Sequence, residues 1–234
     1  MAGFKTHITT STVLGVAYGA AANTLYDVPP AACMLAGGLC SVSGMLPDLD
    51  SDSGVPLRES IAFAAAVVPM LMVPRLRTMG YSPEGMVLAG SIVYLLIRFG
   101  LAKLLKKYTV HRGMFHSLPA ALIAAECAFL ICARQDLNLR YFNAGAVLLG
   151  FMSHLVLDEI WSVGMARGRI YLKSSFGTAL KFWGDSMWAN ASAYLKVIVL
   201  SYLVFNDPVW TYDSTPPGEN LKQIANSAIE SVWK

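Results

Sequence analysis

His154 and Asp158 stand four residues apart in SHLVLDE, His111 and His116 five apart in HRGMFHS, and Asp48 and Asp50 two apart in GMLPDLD. His7 precedes them near the N-terminus, and these are all four histidines of the chain. Imidazole and carboxylate are the side chains from which zinc, manganese and iron sites are built. Here they punctuate a sequence that is 55% hydrophobic. Ionisable groups at the ends of apolar segments are costly to keep and are usually functional. The chemistry these residues suggest is a metal site at a membrane surface.

Each cluster also has a plainer reading. On a helix, His154 and Asp158 share a face one turn apart; they could bind one ion, or the carboxylate could orient the imidazole, or the two could simply satisfy each other. Asp48 and Asp50 flank Leu49 directly after Pro47, and in an extended turn both can point to one side and bridge metals, although PDLDSD, with Asp52, also reads as a solvated loop. His111 and His116 cannot align on a helix face, but Gly113 permits a loop with His116 at the start of the next apolar run. Arg112 between them is a natural phosphate anchor, because guanidinium pairs bidentately with phosphate oxygens; its plainer role is to meet lipid headgroups. Ser117 reads as a helix cap, not a nucleophile. His7 alone would be incidental and gains weight only from its place ahead of an apolar run.

The elements that must position these groups are apolar segments. The chain of 234 residues is only 14% charged, against about 25% for an average soluble domain, and its mean hydropathy is +0.50. The fold class is therefore all-α, a polytopic helical membrane protein. With ~20 residues needed per span, the candidates are 8–22, 29–46, 60–73, 83–105, 117–133, 141–163 and 189–205, giving six or seven helices with seven favoured. The second is rich in Gly, Ala, Ser and Cys, as close helix packing in membranes requires. Pro69 and Pro74 should bend or end the third. Residues 1–205 form a helical membrane domain carrying the site, and 206–234 a tail with a short amphipathic helix.

Basic residues set the orientation. With the N-terminus inside, one face collects Lys5, Arg58, Lys103, Lys106, Lys107, Arg112, Arg167, Arg169, Lys173 and Lys181, and the other, before the C-terminal tail, only Arg75, Arg77, Arg134 and Arg140. Alternating connectivity then puts His7, the PDLD turn, HRGMFHS and the end of the sixth span on one side, the cytoplasmic one. A cleaved signal peptide is disfavoured, since Thr9, Thr10, Ser11 and Thr12 interrupt the first apolar run. Residues 164–190 are basic and aromatic, with Phe182, Trp183 and Trp188, and suit an interfacial segment. Arg98 and Glu126 lie within spans and could pair there. Cys33, Cys40, Cys127 and Cys132 form no CxxC motif and read as packing residues. A net charge of +3 does not indicate nucleic acid.

Taken together, His7, GMLPDLD, HRGMFHS and GFMSHLVLDE resemble the YdjM-like family of bacterial inner-membrane proteins, described as metal-dependent hydrolases. The family is often compared with zinc-dependent phospholipase C, an analogy that implies phosphoester hydrolysis but transfers no substrate. The resemblance makes His7, Asp48, Asp50, His111, His116, His154 and Asp158 metal ligands, more than one four-coordinate ion needs. It thus implies two divalent ions, zinc before manganese, that activate water and polarise a phosphoryl oxygen. Asp48 or Asp50 would bridge the ions or act as general base, and Arg112 would hold the phosphate. The function implied is a multi-pass hydrolase of the inner membrane, facing the cytoplasm, with membrane lipids as partners and an amphipathic phosphoester, such as a phospholipid, as substrate. A transporter of metal ions or protons would use the same residues, but its polar groups belong near the membrane midplane. A third reading is a scaffold in which the metal only staples helices.

Overall fold

Small residues at every turn of the first helix let it lie unusually close to its neighbours. In the structure, a computed structural model describing residues 2–50, 55–101, 114–132, 136–166, 169–173 and 177–207, helix α1 (Phe4–Tyr26) buries His7, Ser11, Gly15, Gly19 and Ala22 along one stripe. Facing it, α2 (Pro30–Ser43) buries Ala32, Cys33, Ala36, Cys40 and Ser43. A Cβ on Gly15 would stand 2.6 Å from the Gly37 carbonyl oxygen, so the two backbones touch. This is the packing by which helices associate in lipid, where contact between backbones replaces a hydrophobic driving force.

The chain continues through a 3₁₀ turn (Leu46–Asp50) into α3 (Val55–Thr78), α4 (Pro83–Leu95, running on as a π-helix over Leu96–Leu101), α5 (Leu118–Ile131), α6 (Leu137–Ser162) and α7 (Met187–Phe205). Side chains that accept a backbone N–H start several of them: Ser82 from Gly85, Ser117 from Ala120, Asp136 from Leu139 and Ser186 from Ala189. Each satisfies a donor that the first helical turn leaves unpaired. Among the described residues, four helices are long and apolar enough to cross a membrane: α3, the 83–101 helix, α6 and α7. The shorter α2 and α5 are apolar too. Val87, Leu88 and Ile92 on α4 and Leu195, Ile198 and Leu203 on α7 are exposed, the pattern of a lipid-facing surface.

Helix α6 is the central post. It packs on α1, α2 and α5, while α3 pairs with α4 and α5 with α7. A Cβ at Gly150 would fall 2.0 Å from the Cys40 carbonyl oxygen and 2.1 Å from Ser43 Oγ. One apolar cluster joins Ala36, Cys40 and Ala146; a second joins Ala121, Phe151 and Leu155. At the N-terminal end of α6, Asp207 ties three helices together: its carboxylate pairs with Arg75 of α3 and accepts from Arg140 Nη1 of α6 at 2.9 Å.

Several expectations change. Helix α3 runs through Pro69 and Pro74 to Thr78; inside a bundle, neighbouring helices and local adjustment tolerate the lost N–H. The segment after α6 opens with an antiparallel hairpin, β1 (Val163–Ala166) and β2 (Arg169–Leu172), pairing Val163 with Leu172. Its four-residue strands are too short to show as alternation in the sequence. Glu126 does not pair with Arg98; its Oε1 accepts from Ser201 Oγ of α7 at 2.5 Å. The expected tail helix lies outside the described residues.

Candidate metal centre

Four parts of the chain meet at the C-terminal end of α6. His7 comes from the first turn of α1, Asp48 from the 3₁₀ turn, His116 from the residues entering α5, and His154 and Asp158 from the last three turns of α6. His154 is the hub. Its ring stacks on that of His7 with centroids 3.6 Å apart and planes at 12°, and meets His116 edge-on at 5.5 Å.

The donor atoms converge. His154 Nε2 is 3.6 Å from Asp48 Oδ1 and 3.6 Å from Asp158 Oδ2. His116 Nε2 is 3.4 Å from Asp48 Oδ1, and His7 Nε2 is 3.2 Å from Asp158 Oδ1. An ion with ligand bonds of 2.0–2.1 Å in a tetrahedron holds its donors ~3.3–3.4 Å apart, so these separations suit ligands of a common ion. Two groups of three form, His7–His154–Asp158 and Asp48–His116–His154, with all donors of each within 4.8 Å. The fit is also electrostatic. His116 Nε2, His154 Nε2 and Asp158 Oδ2 are buried without a hydrogen-bond partner, a state that costs about 1–3 kcal/mol per group and that a cation would relieve.

Backbone groups aim the ligands. The Gly44 carbonyl lies 2.7 Å from His154 Nδ1, so this nitrogen carries the proton and Nε2 keeps its lone pair for the site. The Ala2 N–H donates to Asp158 Oδ1 at 3.0 Å, leaving Oδ2 toward His154. Ser11, one turn below His7, donates to the Ser41 carbonyl at 2.9 Å and so fixes α1 against the end of α2. Burial pushes the Asp48 carboxyl up, but the neighbouring imidazoles of His116, His154 and His7 outweigh it and hold the group below the usual carboxylate range.

Of the residues singled out in the sequence, the structure brings together His7, Asp48, His116, His154 and Asp158. His111 and Arg112 lie outside the described residues, as does the side chain of Asp50. Ser117 caps α5, its hydroxyl accepting from Ala120 N–H. The Gly44 carbonyl and the Ala2 amide were not legible, since main-chain groups carry no residue signature; the one hint was that Gly44 directly precedes the MLPDLD turn.

No curated protein and no solved structure matches the chain. Over residues 1–204 it matches the family described as YdjM inner membrane protein, and it belongs to that family.

Proposed function

We propose that the chain is a membrane-embedded, metal-dependent hydrolase of phosphoesters, with zinc, or manganese in its place, held by the His/Asp cluster. The observation that carries this reading is the set of buried, partnerless donor atoms at ligand-like separations around His154. A bound divalent ion would supply Lewis acidity and lower the pKa of water.

His154 limits how ions are shared. With Nδ1 committed to Gly44, it has one nitrogen to give, so it completes only one of the two groups. His7, His154 and Asp158 suit the first ion. Asp48 and His116, with Asp50 and His111 from the same sequence clusters, would serve a second. Asp48 Oδ1 lies near both His116 and His154, so this carboxylate would be the one shared between the two groups. It is also the cluster's most open member, with its side chain 20% exposed against 0–3% for the others. Substrate and water would therefore approach on the Asp48 side; Asp48 or Asp50 would take the proton from water, and Arg112 would hold the phosphate. The distribution of lysine and arginine turns this face to the cytoplasm.

The cluster sits at one end of the bundle, in the first turn of α1 and the last turns of α6, which argues against an ion pathway with its binding groups at mid-membrane. The test is metal content by mass spectrometry on detergent-purified protein prepared without chelators, followed by a phosphoester screen. About two equivalents of zinc or manganese, reduced in His154→Ala and Asp50→Ala, is the expected result. Metal-free wild-type protein would overturn the reading and leave transport as the better account.

A further inference from the structure

Residues 177–186, the strap that leads into α7, form no helix or strand, yet several of them are tied down. Glu159, next to Asp158, accepts the Gly177 N–H and, at 3.4 Å, the Ala179 N–H. The Lys181 carbonyl accepts from Leu118 N–H at 3.0 Å, two residues beyond His116. Tyr194 donates to the Phe182 carbonyl at 2.8 Å, and buried Asn190 pairs with both the N–H and the carbonyl of Gly184 at 2.8 and 2.7 Å. These bonds fix the strap at the level of the metal-site residues on α5 and α6.

Its large side chains nevertheless face outward. Phe182 is 67% exposed and Trp183 57%, and Trp188, in the first turn of α7 that the strap enters, is 86% exposed. Backbone ordering of this kind is costly and here presents aromatic rings to the outside, with Lys181 in the strap and Lys173 shortly before it in the sequence. Tryptophan and lysine together suit the headgroup layer, which accepts an apolar body with a polar or charged tip. The patch also runs directly into the exposed apolar side of α7, through Leu195, Ile198 and Tyr202. A surface continuous with a lipid-facing helix, at the end of that helix, has the bilayer interface as its occupant.

We infer that this strap beds in the lipid headgroup layer and holds the His/Asp cluster at that depth, so that the substrate is the headgroup phosphoester of a membrane lipid and not a soluble phosphoester. The anchoring stands on the strap alone; the substrate class rests on the hydrolase reading above.

The experiment is tryptophan quenching in the full chain reconstituted in phosphatidylcholine–phosphatidylglycerol vesicles, comparing wild type with W183F/W188F. The emission lost in the double variant belongs to the strap and the first turn of α7. Quenching of that component by lipids brominated near the headgroup, with little from deep bromines or aqueous iodide, is the expected result. Iodide quenching without bromolipid quenching would put the strap in water. Stronger quenching from deep bromines would put it in the hydrocarbon, and protection from every quencher would mean that protein covers it; each of these three overturns the inference. Hydrolysis is then compared on a bilayer phospholipid and a monomeric short-chain analogue. W183S/W188S should raise KM for the bilayer lipid several-fold with kcat on the short-chain analogue unchanged, and an equal effect on both substrates would sink the substrate assignment. Absence of any hydrolysis in wild type would remove the enzyme reading while leaving the quenching result intact.

Discussion

The carbonyl oxygen of Gly44 lies 2.7 Å from Nδ1 of His154, joining residues 110 positions apart. It sets the tautomer of the one histidine shared by both candidate metal groups. The contact depends on glycine at that position. A Cβ on Gly44 would stand 2.4 Å from Ser11 Oγ and 2.5 Å from Ser11 Cβ, and Ser11 is itself bonded to Ser41 and to the His7 carbonyl. The end of α2 is thus wedged between the first turns of α1 and the last turns of α6.

Gly44→Ala should therefore shift the carbonyl away from His154 and lower metal affinity, on the order of 10–100-fold as for other groups that orient a ligating histidine. Ser11→Gly clears the space, so the Gly44→Ala/Ser11→Gly double variant should recover part of the loss. Competition titration with a zinc-chelating dye reads both. Equal affinity in wild type and Gly44→Ala would show that the carbonyl does not orient the ligand.

Gly150→Ala tests the joint between α2 and α6. The added methyl meets a backbone carbonyl at 2.0 Å, which cannot swing aside as a flexible side chain would. A loss of about 1–3 kcal/mol is expected from overpacking, measured by denaturant titration in detergent. Gly38→Ala is the control, because its Cβ would meet only the Phe63 ring at 3.8 Å and should leave stability nearly unchanged.

Asp207→Asn should unclamp the far end of the bundle. The aspartate is 3% exposed and its Arg140 partner 5%, and removing one member of a buried pair typically costs about 3–5 kcal/mol. Metal stoichiometry should not change in the protein that remains folded, since Arg140 opens α6 and the cluster closes it. A drop in metal content at unchanged unfolding midpoint would contradict that separation.

Acid should destabilise the metal-free protein in part through Asp48. Its folded carboxyl is held below its ordinary value of 3.8. A depressed carboxylate contributes stability above the unfolded value that is lost as pH falls toward the folded one. Asp48→Asn should flatten the acid limb of the unfolding midpoint below about pH 4–5, while wild type and variant run parallel from there to neutrality. An acid limb as steep in the variant as in wild type would exclude the contribution. In the metal-loaded protein, protons also compete with the ion for its ligands, so metal release should accompany the same descent.

Much of the bundle was legible because apolar runs and breakers are local signals. Pro83 opens α4 and Ser117 caps α5, as the sequence suggested. The boundaries of α1 were not: Phe4–Tyr26 extends past the 8–22 run at both ends, because a helix continues while its polar termini still find partners. Of the cluster, His154 and Asp158 were readable as neighbours from their four-residue spacing. His7 carried the weakest signal, and only packing of α1 on α6 stacks it on His154. The Arg75–Asp207–Arg140 clamp was invisible, because Asp207 reads locally as part of an Asp-Pro breaker and its partners come from two distant helices.

The tie between Ala2 and Asp158 spans 156 positions, and His7 likewise reaches α6. During synthesis the first donor emerges early and the last two only when the sixth helix is complete. No shorter nascent chain can assemble the His7–His154–Asp158 group. An ion held by that group would therefore bind only once α6 has emerged and packed against α1, so metal retained by the protein would report that this contact has closed.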